Sequence, residues 1–290
     1  MLKEKYTKLK YLLRSIANFR QNKICPFCGG EKYEVVDRKY FFTSLLRCKS
    51  CGLQYRFPKD TKKFLNNFYQ EEYSVDVHMI TDLPNEKNLN QLKADNFSQL
   101  RNYSKYIMAI NSDKNIRVVD YGCSWGYSLF QLKNSGYDVQ GFEISVPRAE
   151  FGKKLNVEIV TDNKKIRSGN DVILSSHVIE HLSDIKDLLD IAREKLTHNG
   201  ALIVFCPNGS KEYRVREPDL FHVNWGFIHN NYLDPNFVTN IFKQNPYLIL
   251  TGDWDFDENN IIKWDKKTQV NTNEKSGKEL LFIVYPNIKI

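Results

Sequence analysis

From Ile116 onward, short apolar runs alternate with segments in which apolar residues return every three or four positions. The short runs predict strands near 116–121, 137–143, 156–161, 170–175, 201–206, 247–253 and 279–285. The periodic segments predict helices near 126–135, 147–154, 184–197 and 234–244. In the helix over 184–197, Ile185, Leu188, Leu189, Ala192 and Leu196 form one stripe, with Ser183 as N-cap and Asn199-Gly200 as the stop. Strands that alternate with helices signal a parallel sheet covered on both faces. Upstream, Leu9, Leu12, Leu13, Ile16 and Phe19 recur at helical spacing with cations between them, which predicts a basic amphipathic helix. Its expected role is docking on the body of the protein, with a partner or an anionic membrane surface as alternatives. Residues 33–36, 40–46 and 53–58 read as short strands, and Phe64, Phe68, Tyr69 and Tyr73 crowd aromatic rings together. Such a set seals a contact between two units or stacks on a substrate. Residues 75–86 read as a loop, 88–110 as one helix carrying Leu89, Leu92, Phe97, Leu100, Tyr103, Ile107 and Ile110, and the polar stretch 254–278 as a long inserted loop.

Length and charge narrow this picture without choosing a function. The chain of 290 residues suffices for one α/β domain plus a smaller module, and no run approaches the roughly eighteen apolar residues that span a bilayer. Cations at Lys3, Lys5, Lys8, Lys10 and Arg14 interrupt the N-terminal apolar positions, so no secretory core forms and a cytoplasmic location is expected. The net charge of +7 permits phosphate-bearing partners, including nucleic acid and nucleotide sugars, without selecting among them. The resulting division is a basic helix over 1–23, a metal-binding module over 24–75, a linker with lead-in helix over 76–112, and the main domain over 113–290.

Four of the six cysteines form a set. Cys25-Pro-Phe-Cys28 and Cys48-Lys-Ser-Cys51 are two CxxC turns with nineteen residues between them, each followed by glycine. Paired turns of this kind present four thiolates to one tetrahedral Zn²⁺. Four protein ligands fill the coordination sphere, so the ion is expected to be structural, folding a segment too small for its own core.

The main domain opens on Val118-Val119-Asp120-Tyr121-Gly122-Cys123-Ser124-Trp125-Gly126, a strand that turns through two glycines into a helix. Such a turn leaves backbone N–H groups free and admits a ligand close to the chain. Glu143 ends the next strand, where a carboxylate can accept two hydrogen bonds from a ribose diol. A dinucleotide site requires a middle glycine; here Ser124 stands in its place and Asp120 precedes the turn. An acid there repels a diphosphate and suits a cofactor carrying an ammonium group, as S-adenosylmethionine does.

Asp120-Tyr-Gly-Cys-Ser-Trp-Gly126, Glu143 and Asp171-Val-Ile-Leu-Ser-Ser-His-Val-Ile-Glu-His-Leu182 together resemble a class I S-adenosylmethionine-dependent methyltransferase. Cys25-Pro-Phe-Cys-Gly, Cys48-Lys-Ser-Cys-Gly-Leu-Gln-Tyr and Asn67-Phe-Tyr-Gln-Glu-Glu-Tyr73 are similar to a bacterial subgroup with an N-terminal zinc-binding module, many members of which methylate sugars or related small molecules. The resemblance implies a Rossmann-like seven-stranded sheet with the last strand antiparallel. It implies Gly122, Cys123 and Gly126 along the methionine and ribose, Asp120 at the amino group, Glu143 at the ribose hydroxyls, and Asp162 as a candidate at the adenine.

For the acceptor, His177 after the fourth strand is the first candidate for a general base or positioning residue. His222, within Phe221-His-Val-Asn-Trp-Gly-Phe-Ile-His229, is the second, because the resembling family places a histidine in a loop over the acceptor; Trp225 and Phe227 are candidates to stack on a ring. Some O-methyltransferases hold Mg²⁺ through ExxEH at this point of the chain; His177 replaces the first acid, which argues against a hard cation. The expected function is methylation of a sugar, nucleotide sugar or related small metabolite. The alternative is an RNA methyltransferase that grips RNA through the zinc module, which the acids Glu31, Glu34 and Asp37 disfavour.

Overall fold

The computed structural model of the protein describes residues 2–72 and 83–289, with side chains from Leu9 onward; Tyr73 and most of the loop expected at 75–86 lie outside the described residues. The strands are β1 Tyr33–Lys39, β2 Thr43–Cys48, β3 Gln54–Phe57, β4 Arg117–Tyr121, β5 Asp138–Phe142, β6 Ile159–Val160, β7 Asn170–Ser176, β8 Leu196–Pro207, β9 Asn231–Tyr232, β10 Tyr247–Gly252, β11 Gln269–Asn271 and β12 Glu279–Val284. The α-helices are α1 Leu2–Ala17, α2 Lys62–Asn67, α3 Glu86–Ala94, α4 Ser104–Ile110, α5 Tyr127–Asn134, α6 Val146–Phe151, α7 Lys186–Lys195, α8 Lys211–Arg216, α9 Pro218–Asn224, α10 Pro235–Ile241 and α11 Asn259–Lys263.

The large sheet runs β11-β10-β12-β8-β7-β4-β5-β6 and has eight strands, one more than expected. The extra strand, β11, lies inside the stretch read as a loop and pairs in parallel with β10. Three residues of Gln-Val-Asn are too short to show a period, which is why the sequence concealed them. β12 is antiparallel to both β8 and β10, while β4, β5, β6, β7 and β8 run parallel to one another.

Successive residues of a strand point to opposite faces, and here both faces are covered. Along β8, Leu202, Val204 and Cys206 join one core with Leu188, Leu189 and Ala192 of α7. Ile203 and Phe205 join the other, with Tyr106 and Ile107 of α4 and Ile261 of α11. The chain order reverses between β4 and β7, so their carboxyl ends diverge and leave a crevice, the place where open α/β sheets bind ligands.

A second sheet runs β1-β2-β3-β9. Its first three strands carry the cysteine turns, and its fourth comes from the main domain, with Gln54 opposite Tyr232 and Tyr55 opposite Asn231. Leu46, Leu53, Tyr55 and Phe57 belong to the same core as Val119, Ile173 and Phe237, so one hydrophobic mass spans the cysteine module and the large sheet.

Three expectations change. The helix expected over 88–110 is two helices, α3 and α4, separated where Asn96 and Phe97 take φ of 50° and 52°. The helix expected over 184–197 begins at Lys186, without Ser183 as its cap, and ends where Leu196 already starts β8. α1 docks as expected of the helix, although through the opposite face. Tyr11 and Ser15 are buried, whereas Leu9, Leu13, Ile16 and Phe19 are exposed. The contact is ionic: Asp60 receives Arg14 at 2.8 Å and Arg56 at 2.6 Å, and Arg56 also donates to Ser15 Oγ at 2.8 Å.

Candidate functional site

At the end of β4 the chain must turn immediately into α5, and Gly122 makes that possible. Its φ is +84°, and a Cβ there would stand 2.3 Å from Val178 Cγ2. The turn is fixed to β5 by Gly122 N and Cys123 N, which donate to Phe142 O at 2.7 and 3.1 Å. Ser124, in the place of the middle glycine, takes φ of 54°. That left-handed conformation normally favours glycine. Here Ser124 Oγ accepts from Arg148 at 2.6 Å, which holds the strained residue in place. Gly126, with φ of +90°, begins α5 beneath the turn and lines neither of the cavities described next.

Two cavities open over the crevice and meet at Gly122, His177 and His181. The smaller, about 270 Å³, is lined by Phe142, Glu143, Ile144, Asn163, Val178 and, from the helical segment after β3, Lys62 and Tyr69. The larger, about 530 Å³, is lined by Asp120, Cys123, Ser124, Ser176, Glu180 and His229, with Arg101, Tyr103 and Trp254 opposite. Apolar side chains beside one buried acid suit an adenosine, and a roomier chamber edged by Asp120, Glu180, Arg101 and three histidines suits its amino-acid end and a second reactant.

Glu143 is buried at the head of the smaller cavity. Its two oxygens accept from Ser145 N at 2.8 Å and Ser124 N at 2.9 Å, leaving lone pairs free toward the cavity. Burial raises its pKa, and the Ser145 and Ser124 amides and Arg148 oppose the rise. Asp120 accepts from Ser128 Oγ. Burial and then the charge of Glu143 push its pKa up to about 7. Burial makes ionisation of both carboxylates costly, and a cationic ligand beside them would offset that cost. Asp162 is exposed and turned away, capping a short 3₁₀ turn through Lys164 N at 3.0 Å; its neighbour Asn163 lines the cavity instead.

His177 sits just past β7 with φ of 54°. Its Nε2 faces Glu279 Oε1 at 2.6 Å and its Nδ1 faces Glu180 Oε1 at 3.3 Å. Burial alone would lower its pKa, but Glu180 and Glu279 outweigh that and raise it to about 10. The ring is 45% exposed, so water screens part of this attraction. Both nitrogens therefore hold protons toward carboxylates, an arrangement unlike the free lone pair a general base needs. Glu279 is in turn gripped by both arms of Arg101 at 2.8 and 2.7 Å.

His222 does not line either cavity. It lies on α9 with its Nδ1 2.8 Å from Asp37 Oδ2, which also accepts from Trp225 Nε1 at 2.8 Å. The pair fastens α9 to β1 of the cysteine module. Trp225 is fully buried beside Phe221 and Tyr232, so it packs a core and offers no face to a ring. Phe227 packs against Tyr11 and Phe68. The histidine at the cavity is His229, seven residues on, together with His181 and Glu180. Neither its spacing nor its neighbours in the chain distinguished His229 from His222.

The four thiols of Cys25, Cys28, Cys48 and Cys51 lie within 4.8 Å of one another. The Cys25–Cys51 and Cys28–Cys48 sulfur separations are 3.6 and 3.5 Å. Sulfurs about 2.3 Å from a tetrahedral Zn²⁺ would stand about 3.8 Å apart, so the set fits that ion with slight expansion.

Residues 89–247 match a family model described as a methyltransferase domain. The ubiquinone biosynthesis O-methyltransferase of Pelagibacter ubique (strain HTCC1062) is 29% identical over 108 residues; the match spans 33% of this chain and 43% of that protein. Among solved structures, the plantazolicin methyltransferase BpumL in complex with S-adenosylhomocysteine aligns at 14% identity and TM-score 0.48, over 76% of this chain and 93% of that one. A possible histamine N-methyltransferase from Thermotoga maritima aligns at 15% identity and TM-score 0.45, over 68% and 94%.

Proposed function

The chain belongs to the methyltransferase-domain family, and from that premise we propose that it transfers the methyl group of S-adenosylmethionine to an oxygen of a small polyhydroxylated acceptor, a sugar, nucleotide sugar or related metabolite. The observation that carries the reading is the pair of cavities joined at Gly122 and His177, with a buried acid in each. Glu143 receives the ribose hydroxyls, Phe142 and Ile144 flank the adenine, and Asp120 holds the ammonium group. Bound there, the cofactor supplies a methyl carbon on a cationic sulfur.

The acceptor enters the larger cavity, where Ser176, Tyr103 and Trp254 offer hydroxyls and an exposed indole. Its oxygen forms the new bond to the methyl carbon as the carbon–sulfur bond breaks, the electron pair returning to sulfur. The acceptor proton leaves toward solvent by way of the wall formed by Glu180, His181 and His229. His177 positions that wall through its two carboxylate partners. Cys25, Cys28, Cys48 and Cys51 hold a structural Zn²⁺, which keeps β3 in place for β9 and thereby supports the far side of the site.

Incubation with methyl-labelled S-adenosylmethionine and a pool of sugars and nucleotide sugars tests the reading. Label is expected in a small-molecule product, and label that enters only added RNA or no acceptor at all overturns it.

A further inference from the structure

A second group of metal-binding side chains stands in the wall of the larger cavity. Glu180, His181 and His229 each offer one ligand atom, and these atoms lie within 4.8 Å of one another. They come from two distant stretches, the turn after β7 and the loop after α9. Backbone and amide bonds lock those stretches together: Asn231 N donates to Glu180 O at 3.0 Å, and Asn231 Nδ2 donates to Leu182 O at 2.7 Å.

Three features separate this group from ordinary packing. Glu180 is 1% exposed, and among the described residues its carboxylate meets only imidazoles, His177 Nδ1 at 3.3 Å and His181 Nε2 at 3.8 Å from Oε1, with no backbone or amide donor on either oxygen. Among the described residues His181 Nδ1 is likewise buried without a geometric hydrogen-bond partner, and a buried polar group left so is costly. His229 Nδ1 faces the carbonyl of Asn224. That bond fixes the tautomer and leaves Nε2 as a bare lone pair, the second-shell arrangement that orients metal-ligating histidines. The two imidazoles stand 4.6 Å apart at 69°, so they converge and do not stack.

We propose that Glu180, His181 and His229 bind one divalent first-row transition ion at the acceptor end of the site. Two imidazoles and one carboxylate select Zn²⁺, Fe²⁺, Co²⁺ or Mn²⁺ over Mg²⁺ or Ca²⁺, which demand more oxygen ligands. Three protein ligands leave coordination positions open, and all three residues line the 530 Å³ cavity. The open positions take acceptor oxygens, favouring an acceptor with two adjacent hydroxyls, and a bound hydroxyl releases its proton to solvent at neutral pH. The role in methyl transfer rests on the function proposed above; binding of the ion does not.

The test is a titration of Co²⁺ into the chain with its cysteine site already filled by zinc. One further Co²⁺ per chain is expected, with visible ligand-field bands and without the near-ultraviolet charge-transfer band of a cobalt thiolate. Glu180→Gln and His229→Ala should each weaken this binding at least about tenfold, with S-adenosylmethionine binding and melting temperature reporting that each variant is folded. Should a variant fail to fold, Mn²⁺ added to the wild-type protein decides: the ring signals of His181 and His229 should broaden selectively in its NMR spectrum. Absence of Co²⁺ uptake beyond the cysteine site, unchanged uptake in both folded variants, or no selective broadening overturns the site. Cobalt binding without cofactor binding would instead refute the methyltransferase reading and leave the metal site standing.

Discussion

Replacing Asp120 by asparagine probes the electrostatics of the proposed cofactor site. The carboxylate is buried, bonded to Ser128 and close to Glu143, and its pKa stands at about 7 in place of 3.8. A folded-state pKa above the unfolded value means that the native protein holds this proton more tightly. Stability therefore falls as pH rises from about 4 to about 7, and levels off above. Three pH units at about 1.4 kcal/mol each bound the cost at about 4 kcal/mol. Asparagine keeps the shape and removes that cost, so the variant should melt higher than wild type near pH 8. The cofactor's ammonium group pairs only with the ionised acid. Affinity for S-adenosylmethionine should thus rise about tenfold per pH unit up to about 7 and then flatten, whereas Asp120→Asn should bind weakly and lose most of the slope. Equilibrium dialysis of labelled cofactor from about pH 5.5 to 8.5 measures both slopes. A wild-type affinity independent of pH, or an asparagine variant that keeps the full slope, would refute the assignment of Asp120 to the ammonium group.

Two other predictions concern residues outside that pocket. Chelation of the cysteine-bound zinc should lower both the melting temperature and methyl transfer, because β3 pairs with β9 and Asn231 of β9 pins the turn that carries Glu180; metal analysis alongside calorimetric melting checks this. His222→Ala should change kcat by less than about threefold and cost at most about 1 kcal/mol, since its bond to Asp37 lies on the half-exposed outside of α9; steady-state rates and denaturant melts measure the two effects.

The alternating core was legible in the chain because apolar runs such as Val118-Val119 and Val172-Ile173-Leu174 are buried on both faces, and burial imposes the very pattern that was read. The turn at Gly122 was legible because backbone with φ of +84° calls for glycine. Three kinds of feature stayed hidden. An ion pair formed across a long separation leaves no period, so Arg14, reaching the buried Asp60 that Arg56 already holds, reversed the docking face of α1. Short edge elements such as β11 and β9 take their structure from partners and not from their own residues. Within one short segment, tertiary contact alone decides which histidine reaches a cavity: Asp37 ties His222 of α9 to the cysteine module, while the loop after α9 carries His229 inward. The same limit applies to Asp162 and Asn163, adjacent residues of which one caps a turn and the other faces the pocket.

Cofactor binding by this chain is tested most directly at Glu143, the proposed ribose carboxylate. Calorimetric titration of the zinc-loaded chain with S-adenosylmethionine should give one site per chain, weakened about tenfold or more by Glu143→Ala, as the loss of hydrogen bonds to a charged acceptor requires. A folded wild-type protein that binds no S-adenosylmethionine, or a folded alanine variant that binds it equally well, would contradict the central claim.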